Sequence, residues 1–464
     1  MAVKTGDRVT LHIDKISSDG SGIARHDDGM IVFVPGALPG ETVGCTVRVK
    51  KREYAIASPV DIITPHPQRA RPFCPLYGVC GGCQLQHAAY PLQCELKKSM
   101  VEDAFTRIYK KPFPPVSACI PSPAERGYRN KASLPVRREK GRIVPGFYRR
   151  RSHEVIPVTD CPVLAPKVNK ALGVMAEVLP TLGLSPYDEK TARGLLRHLI
   201  VRQGQATGDL LLSVVLSRKI VPGEREILLS KLLSPLLKAL PELRSLTANY
   251  NPKAGNVIAG PETEVLYGDG LVKEILPPYA FEYDTTAFFQ INTLQAIELY
   301  KEAASLAVRS EKDSILELYS GIGTLTAFLA APSSHVTAVE EWPSSVLGMK
   351  KNMEANGLHN RVTILSGAVE DHIASLSPPF DGVVVDPPRT GCSEKVLQGI
   401  ASLSPERIVY VSCTPATLAR DGASLHEKGY LPRKITCFDM FPQTSHVETI
   451  VLMSRVENGV SGKA

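Results

Sequence analysis

From Ser314 to Arg455 the chain alternates short apolar runs with helix-like stretches, a pattern that admits few architectures besides a doubly wound α/β sheet. Strands are expected at Ser314–Leu318, His335–Glu340, residues 381–385 and residues 408–411, with a helix over 294–308 leading in. A turn and a final strand, FDMFPQTSHVETIVLMSR, close the pattern. Each of the four strands delivers one chemically capable side chain at its carboxyl end: Tyr319, Glu340, Asp386 and Cys413. That edge is where open α/β sheets bind ligands.

The local chemistry at this edge is specific. Tyr319-Ser320-Gly321-Ile322-Gly323-Thr324 is a Gly-x-Gly turn opening a helix, and it lets a cofactor approach the backbone closely. Glu340, 19 residues after Gly321, can accept hydrogen bonds from both ribose hydroxyls of an adenosine; Glu341 is its neighbouring rival. The diproline of Asp386-Pro387-Pro388-Arg389 fixes the exit of the third strand. Cys413 precedes a helix start, with Thr414 suited to the N-cap and Pro415 to the first helical position. The helix dipole is expected to lower the thiol pKa. Glu448 lies at the mouth of the final strand, and His446 two residues earlier is expected to point the same way.

A chain of 464 residues needs two or three domains. The start, MAVKTG, lacks an apolar signal core, and the most apolar helical stretch, 227–240, carries Lys231, Pro235 and Lys238; a cytoplasmic, monomeric chain with no membrane span is expected. Between Arg126 and Arg151 ten basic residues face one acid, Glu139, a surplus of nine in a chain of net charge +7. Tyr128, Phe147 and Tyr148 interleave with those cations, the mixture that single-stranded nucleic acid sites use. Before this, residues 9–13, 22–25, 30–34, 42–49 and 54–63 read as five short strands separated by Asp19-Gly20, Asp28-Gly29 and Pro39-Gly40 turns, a small oligonucleotide-binding type of barrel.

Ten cysteines in a reducing compartment point to metal ligands, nucleophiles or core positions rather than disulfides. Cys74, Cys80 and Cys83 follow a Cys-x5-Cys-x2-Cys spacing around Gly81-Gly82, and three thiolates need a fourth ligand. Cys94, Cys119 and Cys161 are available; Cys161, in a turn-like TDCP context, is preferred over Cys94, which sits in an apparent helix. Thiol spacing does not separate an iron-sulfur cluster from zinc.

The segment GDRVTLHIDKISSDGSGIARHDDGMIVFVPGALPGE resembles the RNA-binding TRAM domain. With FFQIN, ELYSGIGT, VDPPRTG, SCTPATLARD and MFPQTSHVET, nearly the whole chain resembles the S-adenosylmethionine-dependent RNA (uracil-5-)-methyltransferases, and within them the 23S ribosomal RNA 5-methyluridine branch. The resemblance implies three parts: an OB-like TRAM barrel over 1–62, a central α+β domain with iron-sulfur loop and RNA groove over 63–280, and a Rossmann-like methyltransferase domain over 281–464. It implies Gln290, Tyr319, Glu340 and Asp386 at S-adenosyl-L-methionine, Cys413 as nucleophile, Glu448 as base, and a [4Fe-4S] cluster on Cys74, Cys80, Cys83 and Cys161. Thr414 departs from the asparagine of many relatives, and no asparagine follows ILSGAVED near the adenine.

Uracil C5 needs a thiolate on C6 before it can attack a methyl group, and then a base to take the C5 proton. Three other readings compete. A cytosine-5 enzyme would want a cysteine where Arg389 stands, with Cys392 the only nearby substitute. A nicotinamide dehydrogenase leaves Cys413 and Glu448 without a task, and so does a noncatalytic iron-sulfur RNA-binding protein. Within the same chemistry, transfer RNA is the alternative substrate.

Overall fold

The computed structural model describes residues 3–377 and 379–456. At the N-terminus, alternation turns Leu11, Ala24, Val32, Val34, Val43, Cys45, Val47, Ala55 and Ala57 into one buried cluster. The strand order is Arg8–His12, Thr42–Lys50, Tyr54–Thr64, Ile31–Pro35, Ser21–Arg25, Lys15–Ile16. Six strands form where five were expected, because the first bends after His12 into a second piece. Its halves pair opposite ends of the sheet, Arg8–His12 with Thr42–Lys50 and Lys15–Ile16 with Ser21–Arg25, which curls the sheet into a barrel. Arg69 forks onto the buried Glu41 carboxylate at 2.7 and 2.8 Å, tying the adjoining linker to this barrel.

The central part is a seven-stranded sheet running from Glu262–Tyr267 at one edge to Val155–Pro157 at the other. Residues 222–239 are helical with a π-turn over Leu228–Leu233; Leu228, Leu232, Leu236 and Leu240 are buried while Lys231 and Lys238 face out. No helix among the described residues is long and apolar enough to cross a membrane.

Two segments of the expected central domain pack elsewhere. The end of the Tyr90–Ala104 helix, at Val101 and Ala104, with Phe105, Tyr109, Val116 and Cys119 shares its core with the C-terminal sheet, while Leu92, Leu96 and Met100 of the same helix cluster with Ile16, Leu38 and Leu85. Residues around Val116 and Ile120 also pair with Ile435 and Phe438. The hairpin Val272–Leu276 and Tyr279–Tyr283 likewise buries Val272, Leu276, Phe281 and Tyr283 against that sheet's other helices, and Asn352 and Asn356 hydrogen-bond its backbone at 2.7–2.9 Å. A boundary at 280/281 therefore cuts a hairpin that packs as a unit with the C-terminal sheet and its helices.

The C-terminal sheet has the order Val362–Ser366, His335–Glu340, Ser314–Leu318, Gly382–Val385, Arg407–Ser412, Glu448–Arg455, Tyr430–Phe438. The first five strands are parallel, and all but the edge strand are largely apolar on both faces, as helices cover both sides. The last strand inserts antiparallel between Arg407–Ser412 and Tyr430–Phe438, with Ser412 opposite Thr449. That reversal matters for the site: the beginning of the last strand lies beside the end of the Arg407–Ser412 strand.

Candidate active site at the sheet edge

The Ser314–Leu318 strand leaves the sheet through Tyr319, whose φ of 66° is rare for a bulky residue. Gly323 comes next at φ 87° and opens the Thr324–Ala330 helix; a Cβ there would meet Met349 at 2.7 Å, so the turn requires glycine. Glu340 is buried, and its carboxylate accepts from the Gly321 N–H at 2.8 Å and the Trp342 N–H at 2.9 Å. Each oxygen retains a lone pair for a further donor. Glu341 is exposed.

Sequence reasoning passed over Glu317. It is 3% exposed, and burial, then Asp386 and Glu340, push its pKa up to about 8 against the Thr326 hydroxyl beside it. The signal was present: an acid inside an apolar strand, directly before the glycine turn. Desolvation also raises Asp386 to about 7. Gln290 is buried on the loop before the Thr293–Ala307 helix, where its carbonyl accepts from Asn130 at 3.0 Å. That helix reaches the edge through Tyr300, whose hydroxyl bonds Thr324 at 3.2 Å.

Cys413 and Glu448 meet at this edge. Glu448 is 3% exposed, and desolvation together with the Asp386 charge holds it well above the usual carboxylate range, opposed by Arg389. The Cys413 thiol is raised, not lowered: burial dominates, Glu448 and Asp386 add, and the Thr414 hydroxyl and Arg389 act against them. Loss of water and two neighbouring acids thus act in the direction opposite to the expected dipole activation. Thr414 does stand at the N-cap of the Pro415–Glu427 helix, yet its hydroxyl makes no cap bond and lies 3.7 Å from the Cys413 sulfur. His446, two residues earlier, is exposed where Glu448 is enclosed, packs edge-on against Phe441, and is lowered to about 4 by the protein packed around it and then by Arg389, Lys97 and Arg129.

The turn before Glu448 is held from three sides. Lys97 forms a buried ion pair with Asp439 and donates to the Phe441 carbonyl at 3.0 Å. Gln93 exchanges hydrogen bonds with Gln443, which sits at φ 72°. The Tyr128 hydroxyl donates to the Pro442 carbonyl at 2.9 Å, so Tyr128 is a core strut, fully enclosed and unable to stack on a base.

The loop cysteines lie near one another. Burial raises Cys83 to about 12, with Cys161, Cys80 and Cys74 all contributing; Cys80 and Cys161 are raised for the same first reason, with Cys74 adding to both. Cys94 and Cys119 instead lie in a separate group with Cys437. Among the described residues no three His, Cys, Asp or Glu side chains converge closely enough to hold one metal ion.

Comparison with known proteins agrees in extent with these parts. Residues 272–456 match the tRNA (uracil-5-)-methyltransferase family model, and residues 2–60 match the TRAM domain. Uncharacterized RNA methyltransferases of Halalkalibacterium halodurans and Gloeobacter violaceus are 35% and 37% identical over 97% and 98% of this chain and 98% of each relative. The tRNA (uracil-54, C5)-methyltransferase of Pyrococcus abyssi, solved with S-adenosyl-L-homocysteine, superposes with a TM-score of 0.76 at 25% identity, covering 96% of this chain and 99% of that one.

Proposed function

Since this chain belongs to the RNA (uracil-5-)-methyltransferases, S-adenosyl-L-methionine-dependent enzymes, here with an N-terminal TRAM domain, we propose that it makes 5-methyluridine in 23S ribosomal RNA through a covalent cysteine adduct. The observation that carries the mechanism is the meeting of Cys413 and Glu448, brought about by the antiparallel insertion of the last strand. The Cys413 thiolate adds to C6 of a flipped uracil, and the ring electrons become available at C5. S-adenosyl-L-methionine supplies the electrophilic methyl group. Glu448 then removes the C5 proton, the C5–C6 double bond re-forms, and the Cys413 sulfur leaves. Asp386 and Arg389 set the charge around both groups. Gln290, Tyr319, Glu340 and Asp386 would hold the donor, with Glu340's free lone pairs for ribose hydroxyls.

Cys74, Cys80, Cys83 and Cys161 would hold a [4Fe-4S] cluster, with zinc as the alternative. The thiols of Cys83, Cys161, Cys80 and Cys74 influence one another electrostatically, and four thiolates suit either group. A cluster takes each thiolate on a separate iron. Its task in this reading is to fix a loop with few apolar contacts of its own. Transfer RNA is the second reading for substrate, favoured by the resemblance to the Pyrococcus abyssi enzyme. A cytoplasmic monomer acting on RNA fits either substrate.

The test is methyl transfer from tritiated donor to ribosomal and transfer RNA from a strain lacking the protein, with nucleoside analysis. Wild type should yield 5-methyluridine in 23S RNA and Cys413→Ala none. Undiminished methylation by Cys413→Ala, or 5-methylcytidine as product, overturns the mechanism; label confined to transfer RNA overturns the substrate.

A further inference from the structure

The Arg142–Tyr148 strand runs into a tight turn that folds back over the glycine pair of the cysteine loop. The Gly81 N–H donates to the Tyr148 carbonyl at 3.0 Å and the Arg150 N–H to the Val79 carbonyl at 3.1 Å. A Cβ at Gly81 would lie 3.2 Å from that Tyr148 oxygen, so close backbone contact depends on glycine there. Between turn and loop opens a cleft of about 520 Å³, lined by residues 147–153 with Gly81 and Gly82. That volume lies in the range of small-ligand sites.

Its lining has the chemistry of a nucleotide site. Arg149, Arg150 and Arg151 stand in succession at the rim, and Arg151 is held at φ 57°, a conformation that costs energy and concentrates at functional turns. Tyr148 and His153 form an aromatic wall, ring centroids 5.5 Å apart. Arg149 pairs with Glu154 at 2.7 Å, while Arg150 and Arg151 pair with Asp19 at 3.7 and 2.7 Å; His153 pairs with Glu189 at 3.1 Å. Solvent-exposed pairs of this kind contribute little and yield readily to a phosphate, which a guanidinium binds with two hydrogen bonds. The cleft is also close to the chemistry along the chain's own contacts. Gln84 and Leu85 N–H groups donate to the Gln443 carbonyl at 3.0 and 2.9 Å, and the Ser445 hydroxyl donates to the Ser18 carbonyl in the same barrel turn as Asp19. Glu448 is three residues beyond Ser445.

We propose that this cleft is a subsite for one nucleotide of the single-stranded RNA flanking the target uridine, its phosphate held by Arg149 and Arg151 and its base stacked on Tyr148. The proposal rests on RNA being the substrate and adds where one flanking nucleotide goes. Binding is measured by fluorescence anisotropy of a labelled single-stranded RNA decamer on full-length Cys413→Ala protein without methyl donor, over a range of salt. Arg149→Ala and Arg151→Ala should each weaken binding about tenfold and reduce the salt slope by about 0.7. Tyr148→Ala should weaken it about tenfold with the slope unchanged, and Tyr148→Phe should restore it. Arg138→Ala, an exposed cation outside the cleft lining, should change affinity less than twofold. Equal losses for Arg138→Ala and Arg149→Ala, no loss for Tyr148→Ala, or displacement of the RNA by an acidic peptide at equal concentration would each overturn the subsite. Should a variant fail to fold, crosslinking of a 4-thiouridine decamer to the unaltered turn must label residues 147–153, and labelling elsewhere overturns it. Because no donor is present, these results are independent of whether 5-methyluridine is formed.

Discussion

Two thiol sites, Cys413 and the group of Cys74, Cys80, Cys83 and Cys161, share one property and differ in everything around it. Burial is the first cause of the raised pKa values of Cys413 and of Cys80, Cys83 and Cys161. Around Cys413 the neighbours are Glu448, Asp386 and Arg389, a mixed field of two acids and one cation around a single thiol. Around the loop cysteines the neighbours are mainly other cysteines, and deprotonating one makes the next harder. In the proposed reading the same residue type, buried in both places, makes a transient bond in one and a permanent one in the other.

The largest effect on that contrast comes from Glu448→Gln. Turnover should fall on the order of 10²–10⁴-fold, and because addition precedes proton removal, an RNA–protein adduct should persist on a denaturing gel. Absence of an adduct together with near-normal turnover would remove Glu448 from the base role. Next in size is Cys161→Ser: iron, sulfide and brown absorbance of anaerobically purified protein should be lost and the melting temperature should drop by several degrees, whereas Cys413→Ala should keep both. Stoichiometric zinc in the wild type would replace the cluster in this comparison.

Smaller effects arise from pH. Both Cys413 and Glu448 must lose protons and both are raised, so the methylation rate should climb as pH increases through and beyond neutrality; a rate flat from pH 6 to 9 counts against their pairing. Asp386 titrates near 7 when folded against 3.8 when free. Between those values the folded state holds a proton that the unfolded chain releases, so this group's contribution to stability declines as pH rises through the window and stays lost above it. Asp386→Asn should therefore melt higher than wild type at pH 8 and alike at pH 4, while impairing methylation. The least effect is expected of Cys94→Ala, which should leave iron content and product formation unchanged at a cost of about 1 kcal/mol.

Much of the catalytic sheet was legible because its signals are local. Ser314–Leu318 and His335–Glu340 are apolar runs bounded by turn residues, and both form strands with those bounds. The barrel turns were equally plain, since Gly20, Gly29 and Gly40 all take left-handed φ values of 77–88°. What misled was long-range. Tyr128 reads as a stacking ring beside arginines, yet the Pro442 carbonyl, 314 residues away, claims its hydroxyl. Residues 101–119 read as central-domain chain, yet Val101, Ala104, Phe105, Tyr109, Val116 and Cys119 complete the core of the C-terminal sheet. Helix-start chemistry at Cys413 suggested an acidic thiol, and desolvation by distant segments reversed the sign.

A parallel-strand edge carrying Tyr319, Glu340, Asp386 and Cys413 is written into the chain itself, because strand ends and glycine turns are encoded in a few adjacent residues. That Glu448 is enclosed while His446 keeps an exposed face, and that Glu317 lies buried among the acids, came from the folded molecule alone. Those outcomes depend on where the last strand inserts and on how much water its insertion removes. Both are sums over contacts between residues far apart in the chain, and no local pattern encodes them.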